Sequence, residues 1–328
     1  MSKQLLDVSN LRTYFFTEAG VVKAVDGISL SVEEGKVIGL VGESGSGKSV
    51  TAQSVLRIVP RPGRIVEGAI KLERQDLLKK SETEMRKIRG SEISIIFQDP
   101  TSSLNPVYTV EKQITDILLL HKGLTKYQAK ETALNLLEEV GIPEAESRLK
   151  AYPHELSGGM KQRIAIARAL ACKPKLLFAD EPTTNLDVTI QAQVLDLLKQ
   201  LQKEYRMTMV MITHDMGIVA DMTERVTILY AGKVMEEADT ATLFTKPKHP
   251  YTEALLKAVP SVAQTRALEV IPGNIPNLIE PPTGCVFHPR CKYAKEICMK
   301  QDPQWENVAA GHYVACHWWK ELKLEGRS

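Results

Sequence analysis

The stretch KVIGLVGESGSGKSVTAQSVLRIV, residues 36–59, joins a short apolar run, a turn of glycine and serine, and a longer run with apolar residues at helical spacing. The first run predicts a buried strand and the last a helix. Between them, GESGSGKS from Gly42 to Ser49 matches the spacing G-x-x-x-x-G-K-[ST]. The glycines let successive backbone N–H groups turn toward one concavity, and the helix N-terminus adds partial positive charge there. The sequence therefore predicts a phosphate-binding loop between a strand and a helix.

Side chains in this loop and after a second strand supply the other groups that a nucleoside triphosphate requires. Lys48 brings a positive charge for the β- and γ-phosphates, and the Ser49 hydroxyl is a hard oxygen ligand that suits Mg²⁺. The run LLFADEP, residues 176–182, predicts a buried strand with acids at its carboxyl end. Ligands bind at that end of parallel strands, so Asp180 is predicted to face the Mg²⁺. Glu181 is predicted to orient and deprotonate the attacking water.

A second loop with the character of an anion-binding site begins at Leu156, in LSGGMKQRIAIARAL. Ser157 offers a hydroxyl group, and Gly158 and Gly159 allow close backbone approach at the start of a predicted helix. An ordinary helix N-cap would also explain a serine at this point. Because one nucleotide needs only one phosphate cradle, the second cradle is predicted to serve the ATP of another subunit.

Taken in order, these motifs resemble those of the ATP-binding subunits of ABC transporters, and the resemblance covers residues 1 to about 245. LSGGMKQR is similar to the family signature, and FQDP, TTNLD and MITHD are similar to its Q-loop, D-loop and switch region. The residues that the resemblance assigns to these motifs are Ser157, Gly158, Gly159 and Gln162 in the signature, Gln98 in the Q-loop, Asp187 in the D-loop and His214 in the switch. Asn185 stands where alanine is more usual in the family, a change that we expect to be mild.

The resemblance also implies an aromatic ring stacked on adenine, supplied by LRTYF and its neighbours. Counting four residues from Leu11 gives Phe15, with Tyr14 and Phe16 as alternatives on the opposite strand face. Val22 is expected to pack beside the same adenine. The predicted ATP-binding set is Phe15, Val22, Gly42, Glu43, Ser44, Gly45, Ser46, Gly47, Lys48 and Ser49, and the predicted Mg²⁺ set is Ser49, Gln98 and Asp180.

The mechanism implied by the resemblance uses two subunits that face each other head to tail. Each ATP lies between the phosphate loop of one subunit and the LSGG of the other. Glu181 activates water and His214 stabilises the γ-phosphate in the transition state. The implied partners are two membrane-spanning permease subunits, a paralogous ATPase subunit or a second copy of this chain, and, indirectly, an extracytoplasmic peptide-binding protein.

Four further stretches, FQDPTSSLNP, DEPTTNLDVTIQAQVLDLL, HPYTEALLKAVP and PPTGCVFHPRC, extend the resemblance to nearly the whole chain. They resemble the ATPase subunits of dipeptide and oligopeptide importers, which implies that ATP hydrolysis here powers peptide import. The ATPase of a nickel-type importer is an alternative. A soluble ABC ATPase of DNA repair or translation is a further one, but such proteins usually carry tandem cassettes or a long coiled coil, and this sequence shows neither.

Composition restricts the partners and the compartment. Of 328 residues, 43% are hydrophobic and 25% are charged, and a net charge of +2 makes no electrostatic case for nucleic acid. The N-terminal MSKQLLDVSNLRTYF lacks the pattern of a secretory signal. No window approaches the roughly 18 consecutive apolar residues of a membrane-spanning helix. We therefore expect a peripheral protein at the cytoplasmic face of the cell membrane.

The predicted fold is an α/β P-loop ATPase with a helical subdomain and a small tail. The ATPase domain is predicted over residues 1–245, with its helical subdomain over about 104–171. Residues 246–328 are predicted to be a regulatory tail of the oligopeptide-transporter type, with a cluster of four cysteines. Within the tail, IPGNIPNLIEPPTG is rich in proline and glycine and predicts an extended linker. Because the tail follows an apparently intact ATPase, we expect it to be peripheral to the chemistry.

Four of the five cysteines lie in this tail, at Cys285, Cys291, Cys298 and Cys316. Their spacing, C-x5-C-x6-C-x17-C, lacks the close pairs of zinc fingers and of bacterial ferredoxins. A reducing compartment argues against disulfides, and four soft thiolates suit a [4Fe–4S] cluster or Zn²⁺. The preferred prediction is a [4Fe–4S] cluster that staples a tail with little core of its own. Zinc, and cysteines without a ligand, remain the alternatives.

Other residues of the same region have simpler explanations. His288, His312 and His317 could replace a cysteine as ligand but are predicted to be surface or loop-packing histidines. The fifth cysteine, Cys172, is predicted to be a small buried residue. Three tryptophans are expected either to shield the cysteine site from solvent or to pack the tail, namely Trp305, Trp318 and Trp319.

Overall fold

The computed structural model describes residues 3–184, 186–258 and 271–327. Asn185, where the sequence departs from the family pattern, and part of the predicted tail lie outside these ranges. The chain divides into two compact units, a first unit of Met1–Lys79 with Met211–Ser328 and a second unit of Lys80–Val210.

The amino-terminal part of the first unit is mainly β-structure. Its elements are β1 (Gln4–Thr17), β2 (Gly20–Glu33), β3 (Val37–Val41), α1 (Lys48–Leu56), β4 (Gly63–Leu72) and β5 (Gln75–Asp76). Four of the strands form an antiparallel sheet in the order β2-β1-β4-β5. In β2 the buried Ile28, Leu30 and Val32 alternate with exposed polar residues, as a sheet with one face on the core requires. Strand β3 confirms the buried strand predicted before the phosphate loop.

The second unit carries most of the helices. Its elements are α2 (Glu82–Ile88), β6 (Ile93–Ile96), α3 (Pro100–Ser103), α4 (Val110–Lys122), α5 (Lys126–Glu139), α6 (Ala145–Leu149), α7 (Gly158–Leu170), β7 (Leu176–Asp180), α8 (Val188–Tyr205) and β8 (Thr208–Thr213), whose last residues belong to the first unit. Strands β6 and β7 pair in parallel. The side chains of Thr109 and Thr125 accept backbone hydrogen bonds at the starts of α4 and α5, which confirms helices in the region predicted to be helical.

The carboxyl-terminal part returns to the first unit. Its elements are α9 (Met216–Met222), β9 (Arg225–Tyr230), β10 (Lys233–Asp239), α10 (Thr240–Thr245), α11 (Pro250–Lys257), α12 (Glu296–Lys300), β11 (Glu306–Ala309) and β12 (His312–Val314). Strand β9 runs parallel to β3 and forms an antiparallel hairpin with β10. Strands β12 and β11 then extend the sheet beyond β10, so tail residues belong to the same sheet as β3.

Three aromatic rings fasten the tail to the first unit. Tyr230 of β9, Tyr251 of α11 and Phe287 of the tail are almost fully buried, and their ring centroids lie 4.8–5.2 Å apart. Burying a side chain such as Phe287 contributes about 1.5–3 kcal/mol. Ile271 and Leu278, in the stretch predicted to be an extended linker, pack against this cluster. That stretch contains neither helix nor strand, and it is a packed part of the unit, not a free connection.

Within the described part of the chain, every helix is too short or too polar to traverse a lipid bilayer.

Candidate nucleotide-binding site

The backbone of the predicted phosphate loop has the shape that only glycine permits. Gly45 and Gly47 have φ values of +80° and +101°, in the left-handed region that side chains disfavour. A Cβ atom on Gly47 would lie 2.5 Å from the carbonyl oxygen of Ala24, and one on Gly42 would lie 2.1 Å from that of Leu229. The loop is therefore enclosed by the neighbouring strands, and its concave side is formed by backbone.

Positive charge is concentrated where this loop meets α1. The Nζ atom of Lys48 donates hydrogen bonds to the carbonyl oxygens of Gly42 and Glu43 at 2.7 and 2.8 Å. Helix α1 begins at Lys48 with no side-chain cap and no acidic residue in its first turn. A helix start of this kind favours an anion, because its N–H groups and the helix dipole point outward. Ser49, the predicted Mg²⁺ ligand, is the next residue of the same turn.

The three candidate aromatic residues on β1 occupy different environments. The Thr13 hydroxyl lies 2.8 Å from the Ser54 hydroxyl on α1, which identifies the face of β1 that looks toward this helix. Phe15 is two residues on and shares that face, and it pairs across the hairpin with Val22. Tyr14 and Phe16 lie on the opposite face.

The two alternatives already have other partners. The Tyr14 hydroxyl donates to Asp26 at 2.7 Å, and burial together with this bond raises the pKa of Tyr14 to about 12. Phe16 is exposed, with the Arg64 guanidinium 5.5 Å from its ring centroid. The geometry therefore favours Phe15 as the ring for adenine.

In the second unit, the acid predicted to be the general base is held in an unusual backbone conformation. Glu181 has a φ of +43°, which is strained for a residue with a side chain. Its Oε2 atom accepts hydrogen bonds from Gln98 at 2.8 Å and from Thr184 at 3.0 Å. Asp180, the last residue of β7, is buried. The structure thus brings together the predicted Q-loop glutamine and the predicted base.

The signature and the D-loop both begin helices in the second unit. Ser157 accepts from the Met160 N–H at 3.3 Å and caps α7, while Asp187 accepts from the Ile190 N–H at 3.0 Å and caps α8. Ser157 and Gly158 are exposed, and α7 has no acidic residue in its first turn. Gln162, predicted with them, is 1% exposed, and its Nε2 atom has no hydrogen-bond partner among the described residues. The side chain of Gln162 is therefore inside the unit, unlike the other signature residues.

The predicted switch residue, His214, follows β8 directly and is exposed. Its neighbour Asp215 accepts from the N–H groups of Gly217 and Ile218, at 2.7 and 3.3 Å, and so caps α9. This cap fixes the turn that presents His214 at the end of the strand.

The four tail cysteines line one small cavity of about 20 Å³. All of them are free thiols, and the backbone N–H of Cys285 donates to the carbonyl oxygen of Cys298 at 2.9 Å. Burial raises the pKa of Cys285 to about 11 and that of Cys316 to about 12, and it also raises the pKa of Cys291. Across the described residues, no three or more histidine, cysteine or acidic side chains are grouped as a metal-binding set. The structure therefore does not confirm the predicted metal centre.

The histidines of the tail follow the simpler prediction in two of three cases. Ring nitrogens of His288 and His317, which line the cavity, lie 3.0 and 2.9 Å from backbone carbonyl oxygens. For His312 the prediction is wrong, because this residue of β12 is buried 2.7 Å from the buried Glu236. Of the three tryptophans only Trp318 lines the cavity, while Trp305 stacks on Tyr313 elsewhere. Cys172 is buried and free, as predicted.

The sequence did not predict that the tail contacts the phosphate loop. The Arg290 guanidinium forms two hydrogen bonds with the Glu43 carboxylate, at 2.6 and 3.1 Å. The Tyr251 hydroxyl accepts a hydrogen bond from the Glu43 backbone N–H at 2.9 Å. The tail is therefore not spatially separate from the predicted phosphate loop, because the turn that holds Arg290 packs directly on the loop. The signal in the sequence was an arginine between Cys285 and Cys291, and the sequence does not indicate which residue it pairs with.

A strand, a glycine-rich loop, a lysine and an uncapped helix start define a P-loop nucleoside triphosphatase. Residues 25–184 match the family model for ABC transporters, and residues 235–298 match that for the C-terminal region of oligopeptide/dipeptide transporters.

Comparison with individual proteins extends the similarity to the whole chain. The sequence is 47% identical to the dipeptide transport ATP-binding protein DppD of Escherichia coli, over 96% of each chain. It is also 47% identical to the oligopeptide transport ATP-binding protein AppD of Bacillus subtilis, over 98% of each chain. Among solved structures, it resembles a dimeric ATP-binding cassette, MJ0796, bound to ADP and Pi, with a TM-score of 0.65 and 28% identity over 72% of this chain and 98% of that one. The chain belongs to the ATP-binding subunits of ABC transporters, in their oligopeptide/dipeptide group, and is an ABC ATPase.

If Phe15 stacks on adenine, the loss of its ring and the loss of the neighbouring Phe16 ring should change the affinity for ATP differently. Phe15→Ala should weaken ATP binding by about 1–3 kcal/mol, because a stacked aromatic surface is lost. Phe16→Ala is the matched control, since it removes the same ring from the other face of β1 and should leave the affinity unchanged. Fluorescent-nucleotide titration measures both, and a larger loss for Phe16→Ala would assign the adenine to the opposite face.

Proposed function

We propose that this chain is the ATP-hydrolysing subunit of a peptide importer. It works as one of a head-to-tail pair, with each ATP between the phosphate loop of one subunit and the LSGG of the other. The observation that carries this proposal is the exposed start of α7, where Ser157 is the cap and Gly158 is exposed, a second helix N-terminus that suits an anion and has no acid in its first turn. The likeness to a dimeric cassette and to dipeptide and oligopeptide ATP-binding proteins supports it.

In this proposal each residue has one role in hydrolysis. The phosphate loop binds the β- and γ-phosphates with its N–H groups and Lys48. Glu181 takes the proton of the attacking water, and His214 stabilises charge on the γ-phosphate. The Asp187 D-loop contacts the partner subunit.

The predicted Mg²⁺ ligands fit that ion by the chemistry of their donors, which are hydroxyl, amide and carboxylate oxygens. The amide nitrogen of Gln98 is directed at Glu181, so its carbonyl oxygen is the atom that it can offer to a cation. Ser49 and Asp180 complete the set. When bound, Mg²⁺ neutralises charge on the phosphate oxygens.

Replacing the general base should separate ATP binding from hydrolysis. Glu181→Gln keeps the size of the side chain but cannot accept a proton, so phosphate release should fall about 10²–10⁴-fold while ATP still binds. The variant should therefore accumulate as an ATP-bound dimer in size-exclusion chromatography. Glu131→Gln, an exposed acid on α5, is the control and should behave as wild type. Wild-type turnover in Glu181→Gln would rule out Glu181 as the base.

The proposed partners are two membrane-spanning permease subunits and a second ATPase subunit, with this chain peripheral at the cytoplasmic face of the membrane. Co-expression with the membrane-spanning subunits of a peptide importer should give a complex that survives affinity purification. Reconstituted with its binding protein, that complex should import a labelled peptide only with ATP. Uptake of nickel without uptake of peptide would instead support a nickel-type importer, and ATPase activity that required DNA or ribosomes would exclude import.

We further propose that the four tail cysteines hold a soft metal centre, with a [4Fe–4S] cluster preferred and zinc as the alternative. Support comes from the donor set, four thiols that line one cavity. The cavity has the size of a single water molecule, so a cluster requires the thiols to move outward. A bound centre would cross-link the turn at Cys285 and Cys291 to the segments that carry Cys298 and Cys316.

Metal analysis of protein purified without oxygen tests the centre. We expect iron and acid-labile sulfide in the wild type, with the broad visible absorption of sulfide-to-iron charge transfer. Cys291→Ser should lose both, whereas Cys172→Ser, the matched control, should keep them. One equivalent of zinc without iron would establish the zinc alternative, and metal-free wild type would exclude a centre.

A further inference from the structure

We propose that the C-terminal tail sets the affinity of the phosphate loop for ATP, through Arg290 acting on Glu43. Arg290 is then a positioning residue, which acts on the nucleotide through another side chain. The inference rests on the proposed role of residues 42–49 in ATP binding and adds the means by which a second part of the chain controls them.

The contact is an ion pair of fixed geometry. The two terminal nitrogens of Arg290 donate to the two carboxylate oxygens of Glu43, at 2.6 and 3.1 Å. The arginine side chain is 5% exposed and the glutamate side chain 28%. Two parallel bonds between a guanidinium and a carboxylate fix direction as well as distance, which lysine cannot do.

The guanidinium itself is held from several sides. Its Nε atom donates to the carbonyl oxygen of Pro272 at 2.8 Å, and its terminal nitrogens also donate to the Ile271 carbonyl and to the Tyr230 hydroxyl, both at 3.3 Å. These partners come from the tail and from β9. The position of the Arg290 guanidinium is therefore fixed by residues other than Glu43.

A second contact holds the backbone of the same glutamate. The Tyr251 hydroxyl accepts the Glu43 N–H, and the Tyr251 ring packs on Phe287, three residues before Arg290. On its other side, the Glu43 carbonyl oxygen accepts from the Nζ atom of Lys48. Glu43 thus connects the tail to the lysine that is proposed to bind the β- and γ-phosphates.

The charges of Glu43 and Arg290 indicate how the loss of Arg290 should change the affinity for ATP. A carboxylate inside a loop that binds phosphate repels its ligand, and Arg290 neutralises it. Without Arg290, the Glu43 carboxylate has lost its ion-pair partner and can turn toward the bound phosphates. ATP affinity should then fall, and it should recover when the carboxylate is also removed.

The turn that holds Arg290 is also hydrogen-bonded to cysteines that line the cavity. Arg290 ends a short 3₁₀ turn, His288–Arg290, which lies between Cys285 and Cys291. The His288 N–H donates to the Cys285 carbonyl oxygen at 2.9 Å, and the Cys291 N–H donates to the His288 carbonyl oxygen at 3.2 Å. Both cysteines are therefore hydrogen-bonded, through their backbones, to the turn that aims the guanidinium at the loop.

The test is a set of equilibrium titrations with a fluorescent ATP analogue. Arg290→Gln should raise the Kd about fivefold or more, because one carboxylate near the phosphates is left uncompensated. Arg290→Lys, which keeps the charge but loses the paired bonds, should give a smaller rise. The double variant Glu43→Gln/Arg290→Gln should recover most of the affinity. A merely structural role of Arg290 would not be rescued by removing its partner.

Arg225→Gln is the matched control. Arg225 pairs with Glu237 and donates to the Gly311 carbonyl oxygen at 2.8 Å, so it also joins β9 to the tail, but through residues outside the phosphate loop. Its loss should leave the Kd unchanged. All three tryptophans lie in the tail, so their fluorescence reports whether each variant keeps the tail folded.

Two results would overturn the inference: an unchanged Kd in a folded Arg290→Gln, or no recovery in the double variant. Should Arg290→Gln fail to fold, the inference is tested by Arg290→Lys and by the double variant. The double variant leaves no unpaired charge. Lys48→Ala separates this inference from the proposed function. If Lys48→Ala bound ATP normally, the phosphate-loop role itself would fail; if only Lys48→Ala lost affinity, the loop would stand and the tail control would fall.

Discussion

A turn that binds phosphate through its backbone must point several N–H groups inward and leave no room for side chains. In this protein the constraint is met by strands that enclose the loop. The carbonyl oxygens of Ala24 on β2 and Leu229 on β9 approach so closely that a Cβ on Gly47 or Gly42 would overlap them. The shape of the loop therefore depends on how two strands, distant in sequence, are packed against it.

Electrostatics places a second requirement on the same loop. Lys48 and the start of α1 create positive potential, but Glu43 adds a carboxylate within the sequence of the loop. Arg290 compensates that charge from the tail. The unit thus contains a phosphate site whose net charge is completed by a residue 247 positions away, which gives the tail a direct influence on nucleotide binding.

In the second unit, backbone strain and helix capping hold the predicted site residues in position. Glu181 is held in a left-handed backbone conformation while Gln98 and Thr184 fix its carboxylate, an arrangement that is common where an acid must keep one orientation. Ser157 and Asp187 each cap a helix. The capping role that would explain Ser157 by itself is therefore real, and it coexists with an exposed helix start that suits an anion.

The sequence alone determined the phosphate loop, the buried strands and the order of the motifs, because glycine spacing and apolar runs act over a few residues. It also separated Phe15 from Tyr14 and Phe16 by strand face, since strand alternation is local. Tertiary structure decided what local patterns cannot encode: the burial of Gln162, the packing of the proline-rich stretch and the pairing of Arg290 with Glu43. These depend on which distant surfaces meet, and contacts of that kind follow from the packing of the whole core.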